Sequence, residues 1–386
     1  MVSDSRAPQE SLPRVMHVLE AVGGGTLRHI VDTIETVDNV EHHIVIPIDL
    51  DKSGAVTPNS EATKIVSDAG AVIHRVSMLR NPIDPRNATG VIKLRQLIKK
   101  LDPVVIHGHS SVGGAFARVA AIGTGIPVVY TPNGVATNKA IVLVERALAP
   151  LTDRFVAVSE SEGSRALHLG LASNDRLLVI RNGIDVTPVE DPYFDLRALL
   201  ELPSDVRIVG TVARLVEQKS PQDFVRICAK VHAAEPDVHF VLVGSGELQD
   251  EVDAEVEAAG IRPWFHQIRY LERASLAIAH FGVFVLPSLF EGAPYTPLEA
   301  MRACVPVVLT EVTGSADTVQ HELSGLLYTF GDTTGMADGV LRLLSDPSYR
   351  DSVVAAATQR FHDQFDRNLM GARLEDLYEE LAVRSE

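Results

Sequence analysis

Two carboxylates, Glu291 and Glu299, flank a short loop that two prolines make stiff. The loop lies in FEGAPYTPLEA, residues 290–300, and holds a glycine and two prolines. Thr296, followed by Pro297 and then by Glu299, predicts a helix start closed by a capping box, so Glu299 could serve only as a cap. Glu291 has no comparable local role, which makes it a candidate for binding or catalysis.

The predicted helix start also offers exposed backbone N–H groups. Those of Tyr295 and Thr296 would face a ligand above the sheet, and phosphate is the expected anion at such a position. Glu299, just inside this helix, could then accept hydrogen bonds from ribose hydroxyls, as carboxylates do in other nucleotide-binding folds. Ribose binding and capping are therefore the two interpretations of Glu299.

A second loop carries two cations that could neutralise a diphosphate. Arg214 and Lys219 lie five residues apart in GTVARLVEQKSPQDFV, residues 210–225. Arginine binds phosphate as a fork and lysine as a point charge. Charges scattered on an ordinary surface loop are the alternative. Gly244, in GSGEL, adds a glycine turn that opens another helix, a feature that is ambiguous by itself.

Glycines and histidines follow two of the predicted strands in the first half. Gly23–Gly25, in VGGGTLRHIVD, would let the backbone approach a ligand closely, although a plain tight turn explains them equally well and they lack the spacing of a dinucleotide fingerprint. His107 and His109, in VIHGHSS, could contact a sugar. Hydrogen-bonded structural histidines are the alternative for both.

Parallel β-strands must position these residues, because short β-branched runs alternate with helical patterns along the chain. Continuous apolar character predicts strands that are buried on both faces. The predicted strands are 14–21, 42–48, 71–77, 103–109, 126–132, 154–160 and 176–182 in the first half, and 207–213, 239–246, VFVLPS and 305–311 in the second. The sequence thus predicts two doubly wound α/β domains, whose ligands bind beyond the carboxyl ends of the strands.

Length and composition agree with two domains of ordinary size in a water-soluble protein. The chain has 386 residues, 46% of them hydrophobic, and the irregular segment 182–195 is the predicted linker. Lys and Arg number 35 against 51 Asp and Glu, a net charge of -16 that opposes binding to nucleic acid or anionic lipid. The stretch Lys93–Lys100 is a local exception, either a basic patch or the solvated face of an amphipathic helix.

Cysteines and apolar runs indicate the compartment. Cys228 and Cys304 are the only cysteines and both lie in apolar stretches, which predicts two buried thiols, no disulfide framework and no metal cluster. The N-terminal residues lack the apolar core of a signal peptide, and no uncharged apolar run reaches membrane-spanning length. We expect a cytoplasmic protein with a flexible tail at residues 1–13.

Five motifs in a fixed order carry a resemblance to a known family. From about residue 14 to about residue 385 the chain resembles the retaining glycosyltransferases of family 4, which have the two-domain GT-B fold. The most specific feature is the pair Glu291 and Glu299 with seven residues between them. The motifs, from the C-terminal one backwards, are PSLFEGAPYTPLEAMRACVPVV, LVGSGEL, ARLVEQKSPQDFV, IRNGID and VSESEGSRALHLG.

The resemblance implies that a nucleoside diphosphate sugar binds mainly to the second domain. Arg214 and Lys219 would contact the diphosphate. Glu291 would contact the transferred sugar, and Glu299 the ribose.

Backbone groups would complete this donor site. The resemblance implies contacts at Gly244, Tyr295 and Thr296 in the second domain. Gly24 and Gly25 would close over the donor from the first domain. It implies no metal and no other cofactor, because the two cations and a helix N-terminus supply the positive charge.

The resemblance also predicts the domain organisation. Two Rossmann-like domains would face each other across a cleft: an acceptor-binding domain at 14–188 and a donor-binding domain at 189–364. A final helix at 365–386 would cross back to the first domain.

Asn133, in VVYTPNGVAT, departs from the family, which commonly has a histidine there that would contact the donor sugar near the reacting carbon. Asparagine can donate and accept hydrogen bonds, but it cannot carry a proton at neutral pH. Asn133 can substitute if the task is orientation, whereas proton transfer would require another residue. His107 and His109 are possible replacements.

The predicted activity is the transfer of a hexosyl group, with retention of configuration, from a nucleoside diphosphate sugar to an acceptor hydroxyl. UDP is the commonest nucleotide of the family. The reaction would serve polysaccharide, glycolipid or envelope synthesis. The acceptor would be a carbohydrate, a lipid-linked sugar or a small molecule. Weak peripheral membrane contact through Lys93–Lys100 is the most that the charge allows. A nucleotide-sugar 2-epimerase and a non-catalytic sugar-nucleotide sensor are the alternative functions.

Overall fold

The computed structural model describes residues 12–20, 23–48, 61–79, 84–135 and 138–383. These residues form two compact units. Unit 1 contains the described residues up to Ala157, together with Gly163–Ile180 and the chain from Met370 onward. Unit 2 contains Val158–Glu162 and Arg181–Leu369. Most of the predicted N-terminal tail lies outside the described residues.

Unit 1 contains a seven-stranded parallel sheet with the order β3-β2-β1-β4-β5-β6-β7. Its strands are β1 Arg14–Leu19, β2 Glu41–Pro47, β3 Val72–Val76, β4 Val105–His109, β5 Val128–Thr131, β6 Arg154–Ala157 and β7 Leu177–Val179. Its helices are α1 Gly24–Thr36, α2 Glu61–Asp68, α3 Asn87–Leu101, α4 Ser110–Ala121, α5 Lys139–Leu148 and α6 Glu160–His168, of which α6 begins in the part of the chain assigned to unit 2. All seven strands predicted in this half are confirmed, with ends shifted by up to three residues.

Both faces of this sheet are buried, as the continuous apolar runs predicted. Met16 and Val18 pack with residues of α3 and α4 on one face. Val15 and Val105 pack on the opposite face against Leu374 of the final helix, α15 Arg367–Val383. A parallel sheet needs such covering because its crossover helices lie on both sides.

Unit 2 repeats the design with a six-stranded parallel sheet in the order β10-β9-β8-β11-β12-β13. Its strands are β8 Ile208–Val212, β9 His239–Val243, β10 Phe265–Ile268, β11 Val283–Leu286, β12 Val307–Thr310 and β13 Leu326–Tyr328. Its helices are α7 Leu196–Leu199, α8 Pro221–Ala234, α9 Gln249–Ala258, α10 Ser275–Ile278, α11 Tyr295–Arg302, α12 Ser315–Thr318, α13 Thr333–Ser345 and α14 Pro347–Gln364.

The sequence missed two strands of this sheet, β10 and β13. They are its two edge strands, so each pairs with one neighbour only. β10 has the sequence FHQI and is mostly half-buried, while β13 has three residues. Neither carries the long apolar run that marks the central strands.

The predicted linker, 182–195, contains no helix or extended strand, but it is part of unit 2. Ile184 is fully buried and forms a backbone bridge with Asp366. The chain passes between the units at 157/158, 162/163, 180/181 and 369/370. From Met370 onward the final helix belongs to unit 1, where the hydroxyl of Tyr378 hydrogen-bonds His107.

One of the two cysteines is not where the sequence predicted. Cys228 is buried in unit 2, and burial raises the pKa of its thiol. Cys304 is exposed, which corrects the prediction of two buried thiols. It lies in the turn that ends α11 with φ 56°, and this turn directs it away from the core although its neighbours are apolar. None of the described helices combines the length and the apolar composition that crossing a bilayer requires.

Candidate functional site

The strand order of unit 2 reverses between β8 and β11, so the loops that follow these strands meet at one edge of the sheet. Such a switch point is where open α/β sheets bind ligands. The backbone N–H of Leu289 donates to the Gln218 carbonyl at 2.8 Å. The Gln218 side chain returns a bond to the Phe290 carbonyl at 3.0 Å. The structure therefore joins two loops that are about seventy residues apart.

Lys219 and Glu291 form the centre of this junction. The Lys219 Nζ lies 2.6 Å from Glu291 Oε1, and both side chains are largely buried. The Ser288 hydroxyl donates to the same carboxylate oxygen at 2.5 Å, and Gln218 donates to Oε2 at 3.4 Å. Glu291 is thus held by three donors, and it is 6% exposed. A loop acid that is merely solvated would not be buried in this way.

Two glycines fix the shape of the cation-bearing loop. A Cβ on Gly244, whose φ is 145°, would lie 2.0 Å from the Ala213 carbonyl oxygen. A Cβ on Gly246 would lie 2.3 Å from the carbonyl oxygen of Leu215. The Leu215 N–H bonds the Ser245 carbonyl at 3.0 Å. The predicted glycine turn therefore acts by letting the backbones of two loops touch.

Arg214 differs from Lys219 in its surroundings. Its side chain is exposed, and no described residue accepts a hydrogen bond from its guanidinium. The Arg214 carbonyl accepts from the Val216 N–H at 3.0 Å, which folds the loop back after the strand. An exposed guanidinium in the same loop as Lys219 can bind an anion without first giving up an ion pair.

The helix after Glu291 does not begin as the capping box predicted. α11 starts at Tyr295, its N-cap is Pro294, and no side chain caps it. Thr296 is therefore the second helical residue, which corrects its assignment as the cap. Pro297 is the third, a position where the absent N–H costs no helical hydrogen bond. Tyr295 and Thr296 still occupy the first two positions of the helix.

Glu299 lies in the second turn of this helix and is half-buried. Without a threonine cap, the capping-box interpretation of Glu299 is excluded. The binding of ribose by Glu299 stays a prediction.

The loop after Glu291 is also held by a segment that the sequence singled out without giving it a role. Ser159, in VSESEGSR, donates its hydroxyl hydrogen to the Gly292 carbonyl at 3.0 Å. Ser161 hydrogen-bonds the Asp317 carboxylate and accepts from the Gly314 N–H at 2.8 Å. Sequence reasoning missed these residues because serines in a loop carry no spacing signal.

Unit 1 has its own switch point, between β1 and β4. Gly24 and Gly25 are exposed at the start of α1, and Gly24 has φ 55°, a conformation that favours glycine. Asn133 follows β5 with φ 54°, and no described residue accepts a hydrogen bond from its buried Nδ2. His109 ends β4 in this region. The structure thus places these four predicted site residues at a strand end, in a loop or at a helix start of unit 1.

His107 has both ring nitrogens engaged. Nδ1 lies 2.8 Å from the Tyr378 hydroxyl and Nε2 lies 2.8 Å from the Thr131 hydroxyl. The ring is fully buried and stacks on His109 with 4.0 Å between centroids. These contacts match the structural alternative for His107, so the geometry gives no support to a sugar contact there.

Three histidines form the group of possible metal ligands found among the described residues: His17, His107 and His109, with one nitrogen of each within 4.8 Å of the others. Burial is the main cause that lowers the pKa of all three well below the usual value, so the rings are neutral. Neutral imidazoles can bind a metal. Here, however, the His17 and His109 nitrogens already bond each other at 3.1 Å, so a metal would have to replace that bond. Absence of a metal stays a prediction.

Two family models match the chain, one on each half. The model "Glycosyltransferase Family 4" matches residues 23–187, and the model "Glycosyl transferases group 1" matches residues 194–360. The first covers the predicted acceptor domain and the second covers the switch point that holds Lys219 and Glu291.

Similar proteins have related descriptions. The capsular polysaccharide biosynthesis glycosyltransferase CapM of Staphylococcus aureus is 22% identical over 348 residues, 85% of this chain and 90% of that protein. An Escherichia coli UDP-Gal:alpha-D-GlcNAc-diphosphoundecaprenol alpha-1,3-galactosyltransferase is 27% identical over 305 residues, 74% of this chain and 77% of that protein.

Solved structures share the fold at low sequence identity. Anabaena Alr3699/HepE, crystallised with UDP and glucose, superposes with a TM-score of 0.83 at 16% identity, over 95% of this chain and all of that one. Sucrose-phosphate synthase of Thermosynechococcus elongatus gives 0.79 at 19% identity, over 96% and 99%. These likenesses establish the GT-B architecture of two Rossmann-like domains. Because the two family models match successive halves of one chain with this architecture, the chain belongs to the group 1, family 4 glycosyltransferases.

Proposed function

We propose that this glycosyltransferase moves a sugar from a UDP-sugar to an acceptor hydroxyl with retention of configuration at the anomeric carbon. The observation that carries the proposal is the buried Lys219–Glu291 pair at the switch point of unit 2, with the exposed Arg214 five residues before Lys219 in the same loop. It supplies cations for a diphosphate and a fixed carboxylate for a sugar within one loop junction. Family membership supports the transfer reaction itself.

In this mechanism the cations hold and stabilise the leaving diphosphate. Arg214 binds it as a fork, and the amides of Tyr295 and Thr296 at the start of α11 bind a phosphate oxygen. Lys219 bridges the diphosphate and the carboxylate of Glu291. Gly244 keeps its own loop close enough to the diphosphate for the backbone of this loop to contribute to binding. Glu291 accepts hydrogen bonds from the transferred sugar, and Glu299 accepts them from the ribose.

The chemical step breaks the bond between the anomeric carbon and the diphosphate oxygen and forms a bond from the same face to the acceptor oxygen. The acceptor's proton passes to the leaving phosphate oxygen. A covalent route would need a carboxylate that is free to attack beneath the sugar. Glu291 Oε1 already accepts from Lys219 and Ser288, which makes it a poor nucleophile. The fixed cations stabilise the developing charge, and we propose that no metal is required.

On unit 1, Gly24 and Gly25 approach the donor, and Asn133 orients its sugar through the Nδ2 that has no acceptor among the described residues. The similar proteins act in capsule synthesis and on a diphosphoundecaprenol-linked sugar. We therefore propose a carbohydrate or lipid-linked acceptor in polysaccharide or envelope synthesis. The exposed Lys93, Lys99 and Lys100 of α3 would give at most weak contact with an anionic membrane.

A thermal-shift panel with UDP, GDP, ADP and dTDP tests donor binding. UDP should raise the melting temperature of the wild type, because a ligand that binds only the folded state stabilises it by mass action. Arg214→Ala should lose most of this shift. Arg226→Ala is the matched control, since Arg226 lies on α8 of the same unit and pairs with Glu255. A panel in which no nucleotide stabilises the wild type would overturn the proposal.

Turnover tests the catalytic assignment. Lys219→Ala should lower kcat by about a hundredfold to a thousandfold, the usual loss when one stabilising group is removed from a transition state. The anomeric configuration of the product, read by NMR, tests retention. Incubation of a UDP-sugar without acceptor separates the alternatives, because a 2-epimerase would isomerise it. A sensor would bind UDP yet give no product with any acceptor.

A further inference from the structure

Three buried histidines of unit 1 form a hydrogen-bonded line that the mechanism does not yet use. The Nε2 of His109 lies 3.1 Å from Nδ1 of His17. The Nε2 of His17 lies 3.1 Å from Nδ1 of His42, whose own Nε2 lies 2.7 Å from the Val37 carbonyl oxygen. His17 and His109 are fully buried and His42 is 5% exposed. The line therefore runs from the end of β4, across β1, to β2.

The Val37 carbonyl sets the direction of every bond in this line. A carbonyl can only accept, so Nε2 of His42 carries the hydrogen. Each ring is neutral in its buried position, so Nδ1 of His42 accepts from Nε2–H of His17. In the same way, Nδ1 of His17 accepts from Nε2–H of His109. The Nδ1 of His109 is then left as a bare acceptor, and no described residue donates to it although it is buried.

His109 occupies the position in unit 1 where a ligand is expected. It is the last residue of β4 and lies opposite Leu19, the last residue of β1. The strand order reverses between these two strands, which makes their carboxyl ends the switch point of the sheet. The glycines Gly23–Gly25 follow β1 at the same edge. An acceptor at such a place that receives no hydrogen bond from the described part of the chain is suited to a donor from a ligand.

We propose that Nδ1 of His109 accepts a hydrogen bond from a hydroxyl of the carbohydrate substrate, and that His17 and His42 are positioning residues that fix the required tautomer. The inference rests on the proposed function, since it supplies the class of ligand. The recognised group is a neutral hydroxyl, because a bare lone pair repels phosphate and carboxylate. The His107 ring stacks on the His109 ring, and both nitrogens of His107 already hydrogen-bond to protein hydroxyl groups.

The tautomers can be read directly by NMR of the protein labelled with ¹⁵N-histidine. In the wild type, His109 should carry its hydrogen on Nε2 and show an unprotonated Nδ1. Addition of UDP alone should leave the His109 Nδ1 signal unchanged. Addition of UDP-glucose or UDP-galactose should shift it if the hydroxyl belongs to the donor, and a shift only after addition of the acceptor sugar would assign it to the acceptor. A His109 protonated on Nδ1, or an Nδ1 signal that no carbohydrate moves, would overturn the proposal.

Variants of His42 test the positioning role. In His42→Phe the Nε2–H of His17 loses its acceptor. The hydrogen bond between His17 and His109 should then reverse its direction, so that Nδ1 of His17 donates to Nε2 of His109 and the hydrogen of His109 lies on Nδ1. We expect kcat/KM to fall roughly tenfold, the cost of one neutral hydrogen bond. His42→Asn keeps an amide oxygen near the former Nδ1 and should restore most of the activity. His74→Phe is the control, because it removes another histidine–histidine contact, between the half-buried His74 and the buried His43, away from the switch point.

UDP binding distinguishes this proposal from the proposed function. All these variants should keep the wild-type thermal shift with UDP, because unit 2 is unchanged. If UDP stabilises none of them, wild type included, the proposed function fails. If UDP binds normally and both His42 variants turn over like His74→Phe, only the histidine proposal fails. The NMR measurement on the wild type decides the tautomer even if His42→Phe does not fold.

Discussion

Mild acid should destabilise unit 1 strongly, because its core contains histidines that are buried in the neutral form. His17, His107 and His109 are fully buried, and burial lowers the pKa of each well below its usual value. Other histidines are the neighbouring charges that act on them, and they lower the pKa further. The unfolded chain therefore binds more protons than the folded one as the pH falls below about 6.5, and stability decreases with falling pH.

The size of the effect follows from linkage. Between about pH 7 and about pH 5.5, a histidine that titrates only when unfolded lowers the free energy of unfolding by about 1.3 kcal/mol. Three such residues give a loss of about 4 kcal/mol, a large share of the 5–15 kcal/mol typical of a domain. The stability is fully present above the unfolded pKa, and the loss ends only when the pH passes the folded pKa values.

Urea unfolding at several pH values measures this loss for each unit. Far-UV circular dichroism follows the whole chain. The fluorescence of Trp264, the one tryptophan, follows unit 2. We expect circular dichroism to show an unfolding transition of unit 1 that Trp264 fluorescence does not report. As the pH falls, the urea concentration at the midpoint of this transition should decrease more than that of unit 2. His107→Asn should remove about one third of the pH slope that these three fully buried histidines contribute. Equal stability of unit 1 at about pH 7 and about pH 5.5 would refute the reasoning.

Three further predictions concern single residues. Gly244→Ala should destabilise unit 2 by about 1–3 kcal/mol and weaken the thermal shift with UDP, because its Cβ would lie 2.0 Å from the Ala213 oxygen. Arg118→Met should cost about 3–5 kcal/mol in urea unfolding, since it leaves the buried Glu145 without the guanidinium 2.7 Å away. Cys304 should be the one thiol of the native protein that reacts rapidly with a thiol reagent such as DTNB, because the other cysteine is buried.

The predictions for Gly244 and Arg118 each have a control variant. Gly260→Ala adds a Cβ in open space at φ 68°, so it should cost less than the change at Gly244 and should leave the UDP shift intact. The double change Arg118→Met with Glu145→Gln should recover part of the loss, because no unpaired charge remains. The argument for Gly244 would be contradicted if the two alanine variants had equal effects. The argument for Arg118 would be contradicted if the double variant recovered no stability, and that for Cys304 if Cys228 were labelled rapidly.

The sequence was sufficient for the central strands, whereas the roles of the candidate site residues stay predictions. Runs such as those around Val15 and Val209 are mostly apolar, because both faces of a parallel sheet are covered, and this pattern can be recognised without knowledge of the neighbouring strands. The edge strands β10 and β13 lack it, because an edge position needs less burial. The start of α11 was misplaced by two residues, since a proline is accepted at several positions of a first turn.

The sequence by itself determined which side chains of this protein can do chemistry: two cations in one loop, an acid without a local role, and glycines at strand ends. Only the tertiary structure decided which of them meet. Lys219 reaches Glu291, and His109 reaches His42 through His17, because the order of strands in a sheet differs from their order in the chain. Local sequence patterns record the burial of a residue, whereas these contacts depend on which strand lies beside it.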